Sequence, residues 1–130
     1  MSRRQSILLI DDDREYCRAM QKLFERRGYE IYLALDGQEA LEAMSDQMID
    51  LILSDLRMPN IDGIELMAEI RRRKIDVPVI FVTGYGEVES YMDLMNLGAF
   101  EYLNKPIDPK ELFRVVETAL EGCSDNGCDF

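Results

Sequence analysis

The sequence contains no histidine, and only three cysteines occur among its 130 residues. The absence of histidine excludes Ser-His and Cys-His catalysis, and it excludes histidine-ligated metals within this chain. Cys17, Cys123 and Cys128 are odd in number and lack CxxC spacing, so the sequence indicates neither a disulfide framework nor a zinc site. We expect reduced thiols that are incidental to the structure.

Positive charge is scarce. The 15 lysines and arginines are outnumbered by 26 aspartates and glutamates, which gives a formal net charge of −11. Repulsion between this charge and a phosphate backbone makes direct DNA or RNA binding unfavourable. The apolar run at residues 7–10 is far too short for a signal peptide or a membrane span. We therefore expect no nucleic-acid binding, no membrane insertion and a cytoplasmic location.

The length of 130 residues suits a single domain with one hydrophobic core. A composition of 47% hydrophobic and 32% charged residues is typical of a globular protein rather than a disordered one. Residues 1–5 are expected to form a short N-terminal extension, and residues 6–122 the domain. Residues 123–130 lack periodicity and are predicted to form a flexible C-terminal tail.

Five short apolar runs alternate with stretches of helical periodicity, which is typical of βα units around a parallel sheet. The predicted strands lie at residues 6–10, 30–34, 50–54, 78–82 and 99–103. The predicted helices lie at residues 14–27, 37–45, 63–73, 87–97 and 109–121. Right-handed crossovers favour the strand order 2-1-3-4-5 with helices on both faces of the sheet. The predicted fold class is therefore α/β, a flavodoxin-like (βα)5 fold.

Several residues mark the ends of these helices. Asp36 and Asp108 each precede a glutamate by three positions, a spacing that indicates a helix start. Gly28 and Gly98 each follow a helical stretch, where a left-handed residue commonly ends a helix.

Two further groups of residues are expected to have structural roles rather than functional ones. The basic run at residues 71–74 stands where the third helix ends, where cations complement the helix dipole. Tyr91, Met92 and Met95 near Leu94 are expected to pack in the core or at its margin.

Carboxylates follow two apolar runs that become neighbouring strands. Asp11 and Asp12 follow the first predicted strand, and Asp55 follows the third. Ligands in open α/β sheets sit at the carboxyl ends of the strands where the winding reverses, here between strands 1 and 3. Thr83 at the end of the fourth strand and Lys105 after the fifth should reach the same edge.

Clustered carboxylates repel one another unless a cation compensates them. Mg²⁺ takes about six oxygens, commonly one or two carboxylates together with waters and phosphate oxygens. Asp12 and Asp55 suit direct ligation, and Asp11 suits a coordinated water. Asp55 is the candidate nucleophile, since an aspartate can attack phosphorus to give an acyl phosphate. Lys105 would supply countercharge and Thr83 a hydrogen bond to the phosphoryl oxygens.

Over residues 6–121 the chain resembles bacterial response-regulator receiver domains. The resemblance rests on Asp11-Asp12, on Asp55-Leu-Arg-Met-Pro59 followed by Gly63, on Thr83-Gly84, and on Tyr102-Leu-Asn-Lys105-Pro106. It implies a phosphoacceptor at Asp55, with Lys105 as its catalytic partner. It also implies Mg²⁺ bound through Asp12, Asp55 and the backbone carbonyl of Arg57, and a phosphohistidine donor on a sensor histidine kinase or a histidine phosphotransfer protein.

The resemblance further implies a switch. Thr83 would move toward the phosphoryl group, and Tyr102 would turn inward to fill the vacated space. The face formed by the fourth helix, the fifth strand and the fifth helix would then change, to control a partner or output domain. A dimer that forms on phosphorylation is a further expectation.

Two alternatives stay open at the level of sequence. An aspartyl phosphohydrolase of the haloacid-dehalogenase type needs a second aspartate two positions after its nucleophile, and Asp11 and Asp13 have that spacing. It also needs a substrate cap, for which 130 residues leave little room. A flavodoxin-like nucleotide or flavin carrier is the other alternative, but no glycine-rich loop follows the first strand to bind phosphate.

Overall fold

The computed structural model describes residues 4–56, 61–84 and 88–124. Five strands alternate with five helices in this part of the chain. The strands are β1 (Ser6–Ile10), β2 (Glu30–Ala34), β3 (Leu51–Ser54), β4 (Val79–Thr83) and β5 (Glu101–Asn104). The helices are α1 (Arg14–Arg26), α2 (Gly37–Asp46), α3 (Gly63–Arg72), α4 (Val88–Asn96) and α5 (Pro109–Ser124). None of these helices combines the length and apolarity that a membrane span requires.

The strands form one parallel sheet in the order β2-β1-β3-β4-β5. Ile10 at the end of β1 is in register with Ala34 of β2 and with Ser54 of β3. Thr83 at the end of β4 is in register with Asn104 of β5. The predicted (βα)5 order is confirmed, and the strand ends share one edge of the sheet.

Two hydrophobic clusters cover the two faces of the sheet. In β1, Ile7 and Leu9 belong to one cluster, whereas Leu8 and Ile10 belong to the other. Helical side chains complete them: Cys17, Phe24, Phe113 and Val116 from α1 and α5 on the first face, and Leu41, Leu66, Ile70 and Leu94 from α2, α3 and α4 on the second. Because both faces are covered, β1, β3 and β4 are buried along their whole length.

The residues predicted to begin and end helices act as expected. The side chain of Asp36 accepts a hydrogen bond of 2.8 Å from the N–H of Glu39, and Asp108 accepts one from an N–H in the first turn of α5. Gly28 and Gly98 have φ angles of 92° and 100°. These left-handed conformations carry little cost for glycine, and they end α1 and α4.

Two expectations about the helices need correction. Helix α5 continues to Ser124, past its predicted end and into the predicted tail, of which residues 125–130 lie outside the described part. Tyr91 and Met92 are 44% and 56% exposed, whereas Leu94 is fully buried. Around a helix Met92 lies about 200° from Leu94, and Tyr91 lies about 60° away at the margin of the buried stripe. The expectation of core packing was therefore wrong for Met92, whereas the side chain of Tyr91 is partly buried at the margin of the core.

Candidate functional site

The pairing of β1 with β3 places two aspartates side by side. Asp11 follows β1 and Asp55 follows β3 directly. The N–H of Asp55 donates a hydrogen bond of 2.9 Å to the carbonyl of Ile10, which extends the ladder to the edge of the sheet. The predicted convergence of these carboxylates follows from this register.

Three carboxylates form a cluster at this edge. Asp11, Asp12 and Asp55 each offer a carboxylate oxygen, and these oxygens lie within 4.8 Å of one another. Asp11 is 2% exposed and Asp55 is 9% exposed, whereas Asp12 is exposed to solvent. Mg²⁺ and Ca²⁺ bind oxygen ligands at about 2.0 to 2.6 Å, so oxygens at this separation can reach one cation. The donor set therefore fits a hard divalent metal ion, while Arg57 lies outside the described residues.

Lys105, in the segment after β5, brings a positive charge to the carboxylate cluster. Its Nζ donates a hydrogen bond of 2.9 Å to Oδ2 of Asp11, across 94 positions, and lies 3.9 Å from Oδ2 of Asp55. The backbone holds this residue in place as well, because its N–H donates to the carbonyl of Thr83 at 2.8 Å. The ammonium thus faces both buried carboxylates.

The pKa values of Asp11 and Lys105 reflect this pairing. Burial raises the pKa of Asp11 above its usual value, and the charge of Asp55 adds to the effect; the N–H of Asp13 and the ammonium of Lys105 oppose it. Burial by itself lowers the pKa of Lys105, but its hydrogen bond to Asp11 and the charges of Asp11 and Asp55 outweigh burial, so this pKa is raised. Lys105 therefore remains protonated at neutral pH and provides countercharge to the cluster.

The carboxylate of Asp55 is oriented by its own neighbour. Its Oδ1 accepts a hydrogen bond of 2.7 Å from the N–H of Leu56, and Oδ2 is the oxygen that faces Lys105. The carbonyl of Leu56 in turn accepts a 2.7 Å hydrogen bond from the N–H of Gly63 at the start of α3. The orientation of Asp55 therefore depends on how α3 packs against Leu56.

The two residues predicted to switch lie on neighbouring strands. Thr83 is fully buried at the end of β4. Tyr102 of β5 is half-buried, and its ring meets the ring of Tyr91 edge-on, with centroids 5.6 Å apart and an interplanar angle of 76°. Tyr102 therefore connects β5 to α4 through an aromatic contact.

Asp13 has a structural role that the sequence analysis missed. Its Oδ1 accepts hydrogen bonds of 3.1 Å from the N–H groups of Glu15 and Tyr16, so it caps α1. Three consecutive aspartates thus divide between two tasks, two in the carboxylate cluster and one at a helix end. The first turn of a predicted helix directly after Asp13 was the available signal.

Tyr16 was also missed. Its ring lies beside Lys105, with Nζ 4.2 Å from the ring centroid. No local pattern indicates this contact, because it joins the first turn of α1 to the segment after β5.

Comparison with known proteins agrees with this arrangement. Residues 7–117 match the family model described as the response regulator receiver domain. The chain belongs to this family. As a receiver domain it is a signalling module, and receiver domains of response regulators act with histidine kinases and with output domains.

Curated relatives of this receiver domain are longer proteins. The transcriptional regulatory protein ZraR of Escherichia coli (strain K12) is 40% identical over 114 residues, which cover 88% of this chain and 26% of ZraR. The regulatory protein AtoC of the same strain is 38% identical over 115 residues, which cover 88% of this chain and 25% of AtoC. The chain thus spans about a quarter of the length of these relatives.

Solved structures share the fold over nearly the whole chain. The response regulator receiver domain protein (CheY-like) from Methanospirillum hungatei JF-1 superposes with a TM-score of 0.91 at 28% identity, covering 95% of this chain and 98% of that one. The signal receiver domain of a putative Luxo repressor protein from Vibrio parahaemolyticus gives a TM-score of 0.90 at 25% identity, with 96% of both chains covered.

The haloacid-dehalogenase alternative receives no support from these comparisons. The geometry argues against it as well, since the carboxylate of Asp13 caps α1. Within the described part of the chain, the carboxylates that cluster with Asp11 are those of Asp12 and Asp55.

Proposed function

We propose that this receiver domain accepts a phosphoryl group on Asp55 from a phosphohistidine of a sensor histidine kinase or a histidine phosphotransfer protein. The supporting observation is the setting of Asp55. Its carboxylate is almost buried, stands within 4.8 Å of oxygens of Asp11 and Asp12, and lies 3.9 Å from the ammonium of Lys105. Phosphoryl transfer depends mainly on positioning and countercharge, which this setting provides.

In the proposed step an oxygen of Asp55 attacks phosphorus and the P–N bond to the donor imidazole breaks. The imidazole leaves with the electron pair of that bond and takes up a proton from solvent. The product on this chain is an acyl phosphate. The chain has no histidine of its own, so the donor imidazole lies outside these 130 residues.

Mg²⁺ is the proposed cofactor. Asp12 and Asp55 would ligate it directly, Asp11 through a coordinated water, and Arg57 through its backbone carbonyl. When bound, the ion neutralises charge on the phosphoryl oxygens. Lys105 and Thr83 complete the site from this chain, the first as a fixed positive charge and the second as a hydroxyl donor at the end of β4.

Thr83 and Tyr102 would carry the signal away from Asp55. In the proposed switch Thr83 moves toward the phosphoryl group and Tyr102 turns inward. The half-burial of Tyr102 and its contact with Tyr91 support this proposal, since movement of Tyr102 must disturb α4. The two states must differ by only a few kcal/mol for one modification to shift their populations.

The face formed by α4, β5 and α5 is the proposed output surface. Tyr91 and Met92 of α4 and Phe100, directly before β5, expose 44%, 56% and 40% of their surface. A downstream protein, an output domain or a second phosphorylated copy would bind here.

Because relatives are named transcriptional regulators, we propose that residues 6–122 control transcription in the cytoplasm. The net charge of −11 disfavours direct contact between this chain itself and DNA.

Intact mass spectrometry after incubation with Mg²⁺ and acetyl phosphate tests the proposal. The wild type should gain one phosphoryl group, and Asp55→Asn should gain none. Asp46→Asn is the matched control, since this exposed aspartate ends α2 away from the cluster. Removal of Mg²⁺ with a chelator should abolish labelling. Stoichiometric labelling that persists in Asp55→Asn would contradict the proposal.

Turnover distinguishes a switch from a hydrolase. Repeated hydrolysis of phosphate esters that survives Asp55→Asn but is lost in Asp11→Asn would indicate a hydrolase instead. Backbone chemical shifts test the switch itself, and phosphorylation should move resonances of α4, β5 and α5. Changes confined to residues around Asp55 would contradict the switch.

A further inference from the structure

We propose that Tyr16 is a positioning residue that holds the ammonium of Lys105 at the carboxylate cluster through the face of its ring. This inference rests on the proposed phosphorylation of Asp55 and assigns one more residue to that site.

Tyr16 is itself held in a defined place. It lies in the first turn of α1, and its N–H donates a hydrogen bond of 3.1 Å to Oδ1 of Asp13. Its side chain is half-buried and packs against the core cluster between the sheet, α1 and α5. The ring is therefore an ordered surface rather than a loose side chain.

The ring meets Lys105 at a distance suited to attraction. Nζ of Lys105 lies 4.2 Å from the centroid of the Tyr16 ring, within the range of about 6 Å for cation–π interactions. The same Nζ lies 2.9 Å from Asp11 and 3.9 Å from Asp55. One aromatic face and two carboxylates thus surround the ammonium.

Tyr16 also lines both a small cavity beside the carboxylate cluster and a larger groove. It lines a cavity of about 10 Å³ together with Asp11 and Asp55, and it lines a groove of about 440 Å³ together with Lys105 and Leu112. A lysine has a flexible four-carbon stem and would otherwise have room to turn its head into the groove. The ring provides a favourable neighbour that keeps the head on the side of the cluster.

The attraction of the Tyr16 ring for the Lys105 ammonium differs from that of the carboxylates in its response to a bound cation. The pull of Asp11 and Asp55 on Lys105 weakens when a divalent cation engages the same oxygens, because part of their charge is then neutralised. The quadrupole of the Tyr16 ring is unaffected by that cation. Tyr16 therefore retains the ammonium near Asp55 in the state in which phosphorylation takes place.

The test compares Tyr16→Leu with Tyr16→Phe. Leucine removes the aromatic face, whereas phenylalanine keeps it and removes only the hydroxyl. The rate of labelling by acetyl phosphate in Mg²⁺ should fall about 3- to 10-fold in Tyr16→Leu and change less than about twofold in Tyr16→Phe. Tyr29→Leu is the matched control, because Tyr29 packs against the same core but contacts the ring of Phe24. It should label at the wild-type rate.

Two further measurements separate positioning from a general loss of structure. In a Lys105→Ala background Tyr16→Leu should cause no additional loss of rate, since residues that act together are not additive. Without metal or phosphate, the Hε resonances of Lys105 should show an upfield ring-current shift in the wild type and in Tyr16→Phe. The shift should vanish in Tyr16→Leu.

Three results would overturn the inference: wild-type labelling rates in Tyr16→Leu, an equal loss of rate in the Lys105→Ala background, or unchanged Lys105 resonances in Tyr16→Leu. Failure of the underlying function has a separate signature. In that case the wild type itself is not labelled, whereas a labelled wild type that is insensitive to Tyr16→Leu refutes the role of Tyr16 alone.

Discussion

A methyl group added at Gly63 should disturb both the stability of the domain and the reactivity of Asp55. A Cβ at this position would stand 2.8 Å from Cδ1 of Leu56, 2.9 Å from Cε1 of Phe81 and 3.1 Å from Cα of Leu56. Favourable carbon contacts begin at about 3.5 Å, so these neighbours must each move by about half an ångström. Phe81 is fully buried, and the backbone of Leu56 cannot move without its neighbours.

The expected cost follows from these contacts. Overpacking a core costs about 1 to 3 kcal/mol, and replacing glycine by alanine in a helix returns at most about 1 kcal/mol. Because two of the three contacts fall below 3.0 Å, the overpacking cost should lie in the upper part of that range, at about 2 to 3 kcal/mol. After the return of about 1 kcal/mol from helix propensity, Gly63→Ala should lower the free energy of unfolding by about 1 to 2 kcal/mol. Displacement of Leu56 also shifts the N–H that holds Oδ1 of Asp55, so labelling by acetyl phosphate should slow.

Urea unfolding and intact-mass labelling measure the two effects. Ala68→Gly is the control, because Ala68 is exposed on the same helix and its replacement costs about 1 kcal/mol through helix propensity alone. This control should be destabilised but should label at the wild-type rate. The reasoning is refuted if Gly63→Ala is as stable as the wild type, or if it loses stability and still labels at the wild-type rate.

Three other predictions concern single residues. Lys74 has a φ angle of 61° after α3, so Lys74→Gly should stabilise the domain by up to about 1 kcal/mol in urea unfolding; a loss of stability would contradict this. Burial raises the pKa of Asp11 in the folded state, so its ionisation costs stability at neutral pH. Without divalent cations, Asp11→Asn should have a higher urea midpoint than the wild type at pH 7. The difference between the two midpoints should shrink as pH falls through the raised pKa of Asp11 toward 3.8, because the wild-type carboxylate is then protonated. A difference that grows on acidification would contradict this prediction. Burial raises the pKa of Cys17 to about 11, so little of its thiol is ionised at pH 8 and available to react. In a variant with Cys123 and Cys128 replaced by serine, iodoacetamide should alkylate Cys17 slowly at pH 8 until urea unfolds the chain. Rapid alkylation of the folded protein would be the opposite result.

The location of the carboxylate cluster could be predicted because it depends on strand order and strand ends alone. Asp11 and Asp55 each follow an apolar run, and parallel neighbours end at a common edge. The same reasoning places Thr83 and Lys105 at this edge, since they close β4 and follow β5. The structure adds which atoms meet, namely Nζ of Lys105 with Oδ2 of Asp11.

Side-chain direction limited the other predictions. Asp13 has the same chemistry as Asp11 and Asp12, but its position directly before α1 gives its carboxylate free N–H groups to accept from. Met92 is as apolar as a core residue, yet it lies on the far side of α4 from Leu94. Composition and short-range spacing do not resolve such differences, because they depend on which helical face meets the sheet.

The sequence by itself determined the alternation of strands and helices, and it determined which strand ends carry acidic side chains, because hydrophobic periodicity and position along a strand are local properties. Only the tertiary structure decided that the ammonium of Lys105 lies among Asp11, Asp55 and the ring of Tyr16. Those contacts join residues up to 94 positions apart, and their distances depend on how α1 and the segment after β5 pack across the edge of the sheet.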